Sequence, residues 1–128
     1  MRTAPAPMPT VQLTAQDFGK APSSGLEVVW LGPFDLSLIK IGEYDETWPE
    51  IHINPEEAVQ AQLAVQGRLL LPVHWGTFNL AYHGWDEPIR RLVKAAEAAG
   101  VQVTTPRPGE RVVVGGEVPS VHWWEAVK

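Results

Sequence analysis

Four histidines, at positions 52, 74, 83 and 122, are the side chains of this sequence best suited to hold a metal or move a proton, because it has no cysteine. Disulfides, thiolate nucleophiles and thiolate metal sites are thereby excluded, and any metal must be held by imidazole or carboxylate. His74 follows Leu69-Leu70-Leu71-Pro72-Val73, an apolar run of strand type, and precedes Trp75, Gly76 and Thr77. A histidine there is either a ligand or a polar residue where a strand leaves the core. The phrase alone leaves both open, although functional groups of open α/β sheets gather just beyond the carboxyl ends of strands. Gly76 would let backbone approach closely, and Thr77 offers a hydroxyl. His52 precedes a helix cap and could reach the same crevice if that helix packs beside the His74 strand. His83, in Tyr82-His83-Gly84-Trp85, reads as a surface-loop residue, and His122 as structural.

The carboxylates suggest less chemistry. Glu56 and Glu57 are adjacent in a first helical turn, so they point in different directions and serve the helix dipole. Glu43, Asp45 and Glu46 read as solvated charges on an exposed loop. The sequence contains no Gly-rich phosphate loop, nucleophile elbow or His-Glu-x-x-His helix.

The elements that must position these residues are well marked. A helix is predicted from Asn54, with Asn54 as cap, Pro55 in the first turn, Glu57 at the capping-box position and Gly67 at the end. A second begins at Asp86, read as its cap, with Pro88 in the first turn. Its apolar residues Ile89, Leu92, Val93 and Ala96 fall on one face, and Gly100 stops it. Strands are expected near 35–41, over 68–75, at 101–105 and at 111–116, with an irregular loop over 43–53. A short edge strand is expected within 11–18, and Trp123 and Trp124 are expected to cover a core edge. This order predicts an α/β layer with parallel pairing between consecutive strands.

The 128 residues, 45% hydrophobic and 20% charged, suit one compact domain. Pro5, Pro7, Pro9 and Pro22 suggest a loose arm over 1–25, with the domain over 26–128. A net charge of −5 with scattered basic residues argues against nucleic acid as partner. No apolar run approaches the roughly 18–20 residues of a membrane span, and the proline-broken start is unlike a signal peptide, so a cytoplasmic location is expected.

Taken together and in order, "IGEYDETW", "HINPEEAVQ" and "LLLPVHWGTFNLAYHGWDEPIRRLVKAAEAAGV" resemble the C-terminal part of the metallo-β-lactamase-fold hydrolases. The nearest branch includes the N-acyl phosphatidylethanolamine-hydrolysing phospholipase D and the ascorbate-6-phosphate lactonase-like proteins. The resemblance covers roughly residues 32–107. It implies half of an αββα sandwich, a mixed sheet with two main helices on one face, and a metal site, commonly zinc, along one edge. It also implies that His74 matches the last histidine ligand of that site, and that His52 matches a histidine near the substrate implicated in catalysis. Tyr44, Trp75 and Thr77 then become candidate substrate contacts.

The family's His-x-His-x-Asp-His motif is missing from this sequence. A hydrolytic zinc needs about three protein ligands and an open position for water, so weak or absent metal binding and little activity are expected of the chain alone. In a completed site the substrate would be a small-molecule ester, lactone or phosphodiester. An uncovered half-sandwich would expose the apolar strands, so a homodimer or a complex with a separate N-terminal half-domain is expected. The alternative function is a self-associating or partner-binding domain that retains the fold without the chemistry.

Overall fold

The computed structural model describes residues 33–127, together with two short strands, β1 (Val11–Leu13) and β2 (Val28–Trp30). β1 and β2 pair antiparallel, Val11 opposite Trp30. The expected edge strand is therefore present, while the rest of the proposed arm over 1–25 lies outside the described residues.

The site is carried by a β-α-β-α run: β3 (Leu36–Lys40), α1 (Pro55–Ala64), β4 (Leu69–Val73) and α2 (Glu87–Ala99). β3 and β4 pair parallel, with Leu36 opposite Leu69 and Lys40 opposite Val73, as the crossover through α1 requires. Side chains alternate across such a ladder. Ile39, Ile41, Leu70 and Pro72 therefore face one way, toward the helices, and Ile41 and Leu70 are fully buried. Leu38, on the opposite face, is 62% exposed.

α1 starts as its sequence predicts. The Asn54 side chain accepts from the Glu57 N–H and the Glu57 carboxylate accepts from the Asn54 N–H, both at 2.9 Å, satisfying two donors that no helical bond can reach. α2 starts differently from expectation. Asp86 stands at the cap position with helical backbone angles, and its carboxylate takes the Arg90 guanidinium at 2.6 Å instead of a backbone N–H. The ion pair with a guanidinium one turn away takes the carboxylate that a backbone N–H would otherwise share. Gly100 ends α2 as predicted.

Beneath the helices lies a core of Ile41, Ala58, Val59, Leu70, Ile89, Leu92, Ala96 and Trp124. Trp124 comes from the short 3-10 turn Trp123–Ala126 and is 1% exposed, so the tail closes the core edge as expected.

Two expected strands do not form. Over 101–105 the chain makes a single parallel bridge, Val103 to Leu70, with Leu70 N–H donating to Gln102 and Thr104 N–H donating to Leu70. Thr104 and Thr105 then turn to Pro119, and Pro106 cannot donate to a ladder. Over 111–116 the valines form no strand: a turn closes from Gly116 N–H to the Val113 carbonyl, and Val113 and Val114 remain nearly half exposed. β-branched composition is a weak signal without a partner strand.

The cap and the closing tryptophan set two stability expectations. Asn54→Ala should cost about 1 kcal/mol and Trp124→Ala about 3–5 kcal/mol, read from urea unfolding midpoints at unchanged slope.

Candidate active site at the ends of the parallel strands

Because β3 and β4 run parallel, the segments leaving them emerge side by side. The ladder continues one step past the strands, with Ile41 N–H donating to the Val73 carbonyl at 3.1 Å. Gly42 then passes so close to His74 that a Cβ on it would lie 2.3 Å from the His74 carbonyl oxygen. Only glycine permits that approach. Gly76, expected to serve a close approach, has open space where its Cβ would stand and is instead needed for its φ of +73°. His74 itself has a φ of +60° and Glu43 of +64°, conformations uncommon for residues with a Cβ and concentrated at functional sites.

This geometry brings the two candidate histidines together. The rings of His52 and His74 lie 5.2 Å apart between centroids, with planes 12° from parallel. His74 is exposed, while His52 is half-buried with its Nδ1 buried and without a hydrogen-bond partner. Burial, with the nearby Lys40 ammonium and His74, holds the His52 imidazole below the ordinary histidine range. Lys40 is fixed there by donating to the Ile51 carbonyl at 2.7 Å.

Beside the pair opens a cavity of about 460 Å³, walled by Tyr44, Asp45, His52, His83, Glu87 and Arg91 among others. Tyr44 donates to Glu87 Oε1 at 2.8 Å, and the Arg91 guanidinium sits 4.7 Å over its ring. Burial first, then the bond to Glu87, pushes the Tyr44 phenol above its ordinary range, so it stays protonated. Arg91 also grips Glu56 with two bonds, Nε to Oε1 at 3.0 Å and Nη2 to Oε2 at 2.6 Å. That fork ties the first turn of α1 to α2 in the planar geometry a lysine could not supply.

Trp75 and Thr77 lie apart from this cavity wall. Trp75 packs on Trp123 at 5.5 Å and edge-on to Trp124 at 5.8 Å, donating to the Pro72 carbonyl. Thr77 is exposed on the loop after β4. Two residues read from sequence as solvent-facing are structural struts. Glu43 is 6% exposed and its carboxylate accepts the Leu80 N–H at 2.7 Å. His83 accepts the Glu43 N–H at 2.9 Å and stacks on Tyr44 at 4.5 Å. Arg91 is a further residue that the sequence does not mark as functional: its spacing from Glu87 is legible on a helix, but its grip on Glu56 depends on tertiary packing.

Among the described residues no three of His, Asp or Glu stand close enough to hold a metal ion. His52 and His74 are two nitrogen donors where a hydrolytic zinc takes about three protein ligands, so the described residues alone do not fit a resident zinc.

The Beta-lactamase superfamily domain matches residues 16–75. An uncharacterized protein of Mycobacterium tuberculosis is 53% identical over 96 residues, covering 73% of this chain and 26% of the relative. The N-acyl-phosphatidylethanolamine-hydrolyzing phospholipase D 1 of Caenorhabditis elegans is 48% identical over 52 residues, 39% of this chain and 15% of that protein. Its mitochondrial counterpart in Saccharomyces cerevisiae is 37% identical over 67 residues, 51% of this chain and 14% of that protein. The match to the superfamily domain covers just under half of the chain, and together these similarities support an α/β part of the metallo-β-lactamase fold. The chain spans about a quarter of the length of its mycobacterial relative.

Two outcomes follow from the site geometry. Gly42→Ala should displace the His74 carbonyl, cost about 2 kcal/mol and separate the His52 and His74 rings, whereas Gly76→Ala should leave the rings in place; ring-proton contacts in NMR distinguish them. The bond from Tyr44 is the largest cause that lowers the Glu87 carboxyl below its ordinary range. A depressed carboxylate stabilises the fold above its unfolded pKa, and that contribution is lost as pH falls through the folded value. Tyr44→Phe should therefore raise the Glu87 titration midpoint seen by carboxyl ¹³C NMR, and its stability deficit should shrink in acid.

Proposed function

We propose that this chain is part of a metal-dependent hydrolase of the metallo-β-lactamase superfamily, acting on a phosphodiester, lactone or related ester. The observation that carries the reading is the His52–His74 pair at the carboxyl ends of parallel strands, at the edge of a cavity, in a chain with this family match. In this reading His74 is one zinc ligand and the remaining ligands come from outside the described residues. His52, whose shifted imidazole favours the neutral form, acts on the substrate, orienting it or transferring a proton. Tyr44 lines the substrate cleft, and Trp75 and Thr77, which lie apart from the cavity wall, would reach only a substrate that extends past His74. The names of the nematode and yeast relatives favour an N-acyl phosphatidylethanolamine-type phosphodiester as the first substrate to try.

The same reading calls for a partner, because a second half-domain must supply the other ligands. Leu38 at 62% and Phe78, Leu80 and Tyr82 at 72% or more exposure offer apolar surface for a separate N-terminal half or a second copy. No helix among the described residues is long and apolar enough to cross a membrane, and the proposed location is the cytoplasm.

Zinc binding and hydrolysis of N-acyl phosphatidylethanolamine in detergent micelles would be measured on the chain alone and with a protein supplying His-x-His-x-Asp-His. The expected result is stoichiometric zinc and turnover only in the mixture, with both lost in His74→Ala and turnover alone reduced about a hundredfold or more in His52→Ala. Zinc binding and turnover that survive His74→Ala would overturn the assignment. A mixture that associates without zinc or turnover would favour a partner-binding domain that keeps the fold without the chemistry.

A further inference from the structure

His83 lies nine residues beyond His74, near the far end of the same β4–α2 connection, and its position is tightly specified. Its Nε2 is 2.9 Å from the Glu43 backbone nitrogen, and its Nδ1 is 3.0 Å from the Gly84 carbonyl oxygen. A backbone N–H can only donate and a carbonyl can only accept. Nε2 must therefore carry the lone pair and Nδ1 the proton, which fixes both the tautomer and the charge: the ring is neutral. A proton on Nε2 would set one N–H against another and remove the bond.

The bond spans two loops. The Glu43 N–H belongs to the segment leaving β3, immediately after the Gly42 contact with His74. His83 belongs to the loop that returns from β4 to α2. A second bond crosses the same gap in the opposite sense, from Leu80 N–H to the Glu43 carboxylate. The Trp48 indole closes the arrangement by donating to the Glu43 carbonyl at 2.9 Å. Glu43 is thus tied at its amide, its carbonyl and its carboxylate, which holds its φ of +64° and sets the ring of Tyr44 against His83.

We infer that His83 is a positioning residue: as a neutral Nδ1–H imidazole it latches the Gly42–Tyr44 segment to the 80–84 loop, and protonation opens the latch. Several groups face it. Asp45, from the same loop as Glu43, interacts with it electrostatically. Tyr44 stacks on it, with Glu87 and Arg91 of α2 behind the phenol. The Glu43 carboxylate is engaged by Leu80. The Glu43 N–H bonds only to the neutral form of the ring. The inference goes beyond the proposed hydrolysis: the latch would exist whether or not zinc binds, so a failure of either idea leaves the other open to its own test.

The test reads the Glu43 amide by hydrogen exchange, as a protection factor, between about pH 8 and about pH 5, the window in which an imidazole changes charge. In the native chain, protection of Glu43 should fall about tenfold as His83 protonates. Imidazole ¹⁵N shifts should report Nδ1–H at the high-pH end, while amides in the middle of α2 keep their protection. His83→Gln retains a carbonyl acceptor at every pH, so it should preserve Glu43 protection without the pH step. His83→Ala should lose protection throughout. A Glu43 protection factor that does not change with pH in the native chain, an Nε2–H tautomer, or a pH step that persists in His83→Gln would each overturn the latch. The native-chain measurement needs no substitution, so it decides for or against the latch even where a variant fails to fold.

Discussion

The segments that leave β3 and β4 could not pass as closely as they do if a Cβ stood at position 42. Here they stay together for two more residues, since Gly42 presents only hydrogen to the carbonyl of His74. The rest of the site depends on that contact. It aims His74 outward from a left-handed backbone, starts the turn that buries Glu43, and leaves room for the His52 loop to bring its ring alongside. The contact is one of shape, and its effect is that two imidazoles and a cavity wall share one end of the sheet.

The charged groups around this end are arranged as a chain of bonds: Glu56 to Arg91, Arg91 to Glu87, Glu87 to Tyr44. Surface ion pairs taken singly are weak. Their value here lies in geometry, since the Arg91 fork joins the first turns of both helices and its face lies on the Tyr44 ring. One side chain therefore fixes the spacing between α1, which follows His52, and α2, which follows His83. The uneven titration of the groups has the same origin: Glu87 and Glu56 are held below the ordinary carboxylate range and Arg91 above the guanidinium range, because each charge has a partner at bonding distance.

The local features of this fold are legible in its sequence where a single residue type does a single job. Asn54, Pro55 and Glu57 mark α1, Gly100 ends α2, and the apolar run 69–73 forms the covered strand. Features that depend on two distant segments meeting are illegible. The valines of 111–114 have strand composition but pair with no strand among the described residues, and the edge beside β4 receives among them a single bridge, from Val103. Asp86 has the right type for a cap and is diverted by Arg90. Glu43 and His83 look like solvated loop residues until the two loops are seen to close on each other. His74 and His52 stand out in the sequence because strand ends and helix starts are marked locally, and a parallel sheet gathers its strand ends at one edge.

The same distinction bears on what this part of the fold contributes to chemistry. Metal affinity depends on the number of donors that converge, and two imidazoles are too few for a hydrolytic zinc. Orientation depends on how little those donors must move when the others arrive. His74 follows a ladder bond and a glycine contact, and His52 lies between the Lys40–Ile51 bond and the Asn54 capping box. Both side chains are therefore set by backbone that the described residues already hold in place, so completing the site would require new ligands but little rearrangement of these two. Pre-organisation of this kind lowers the cost of binding for any group that engages these two imidazoles.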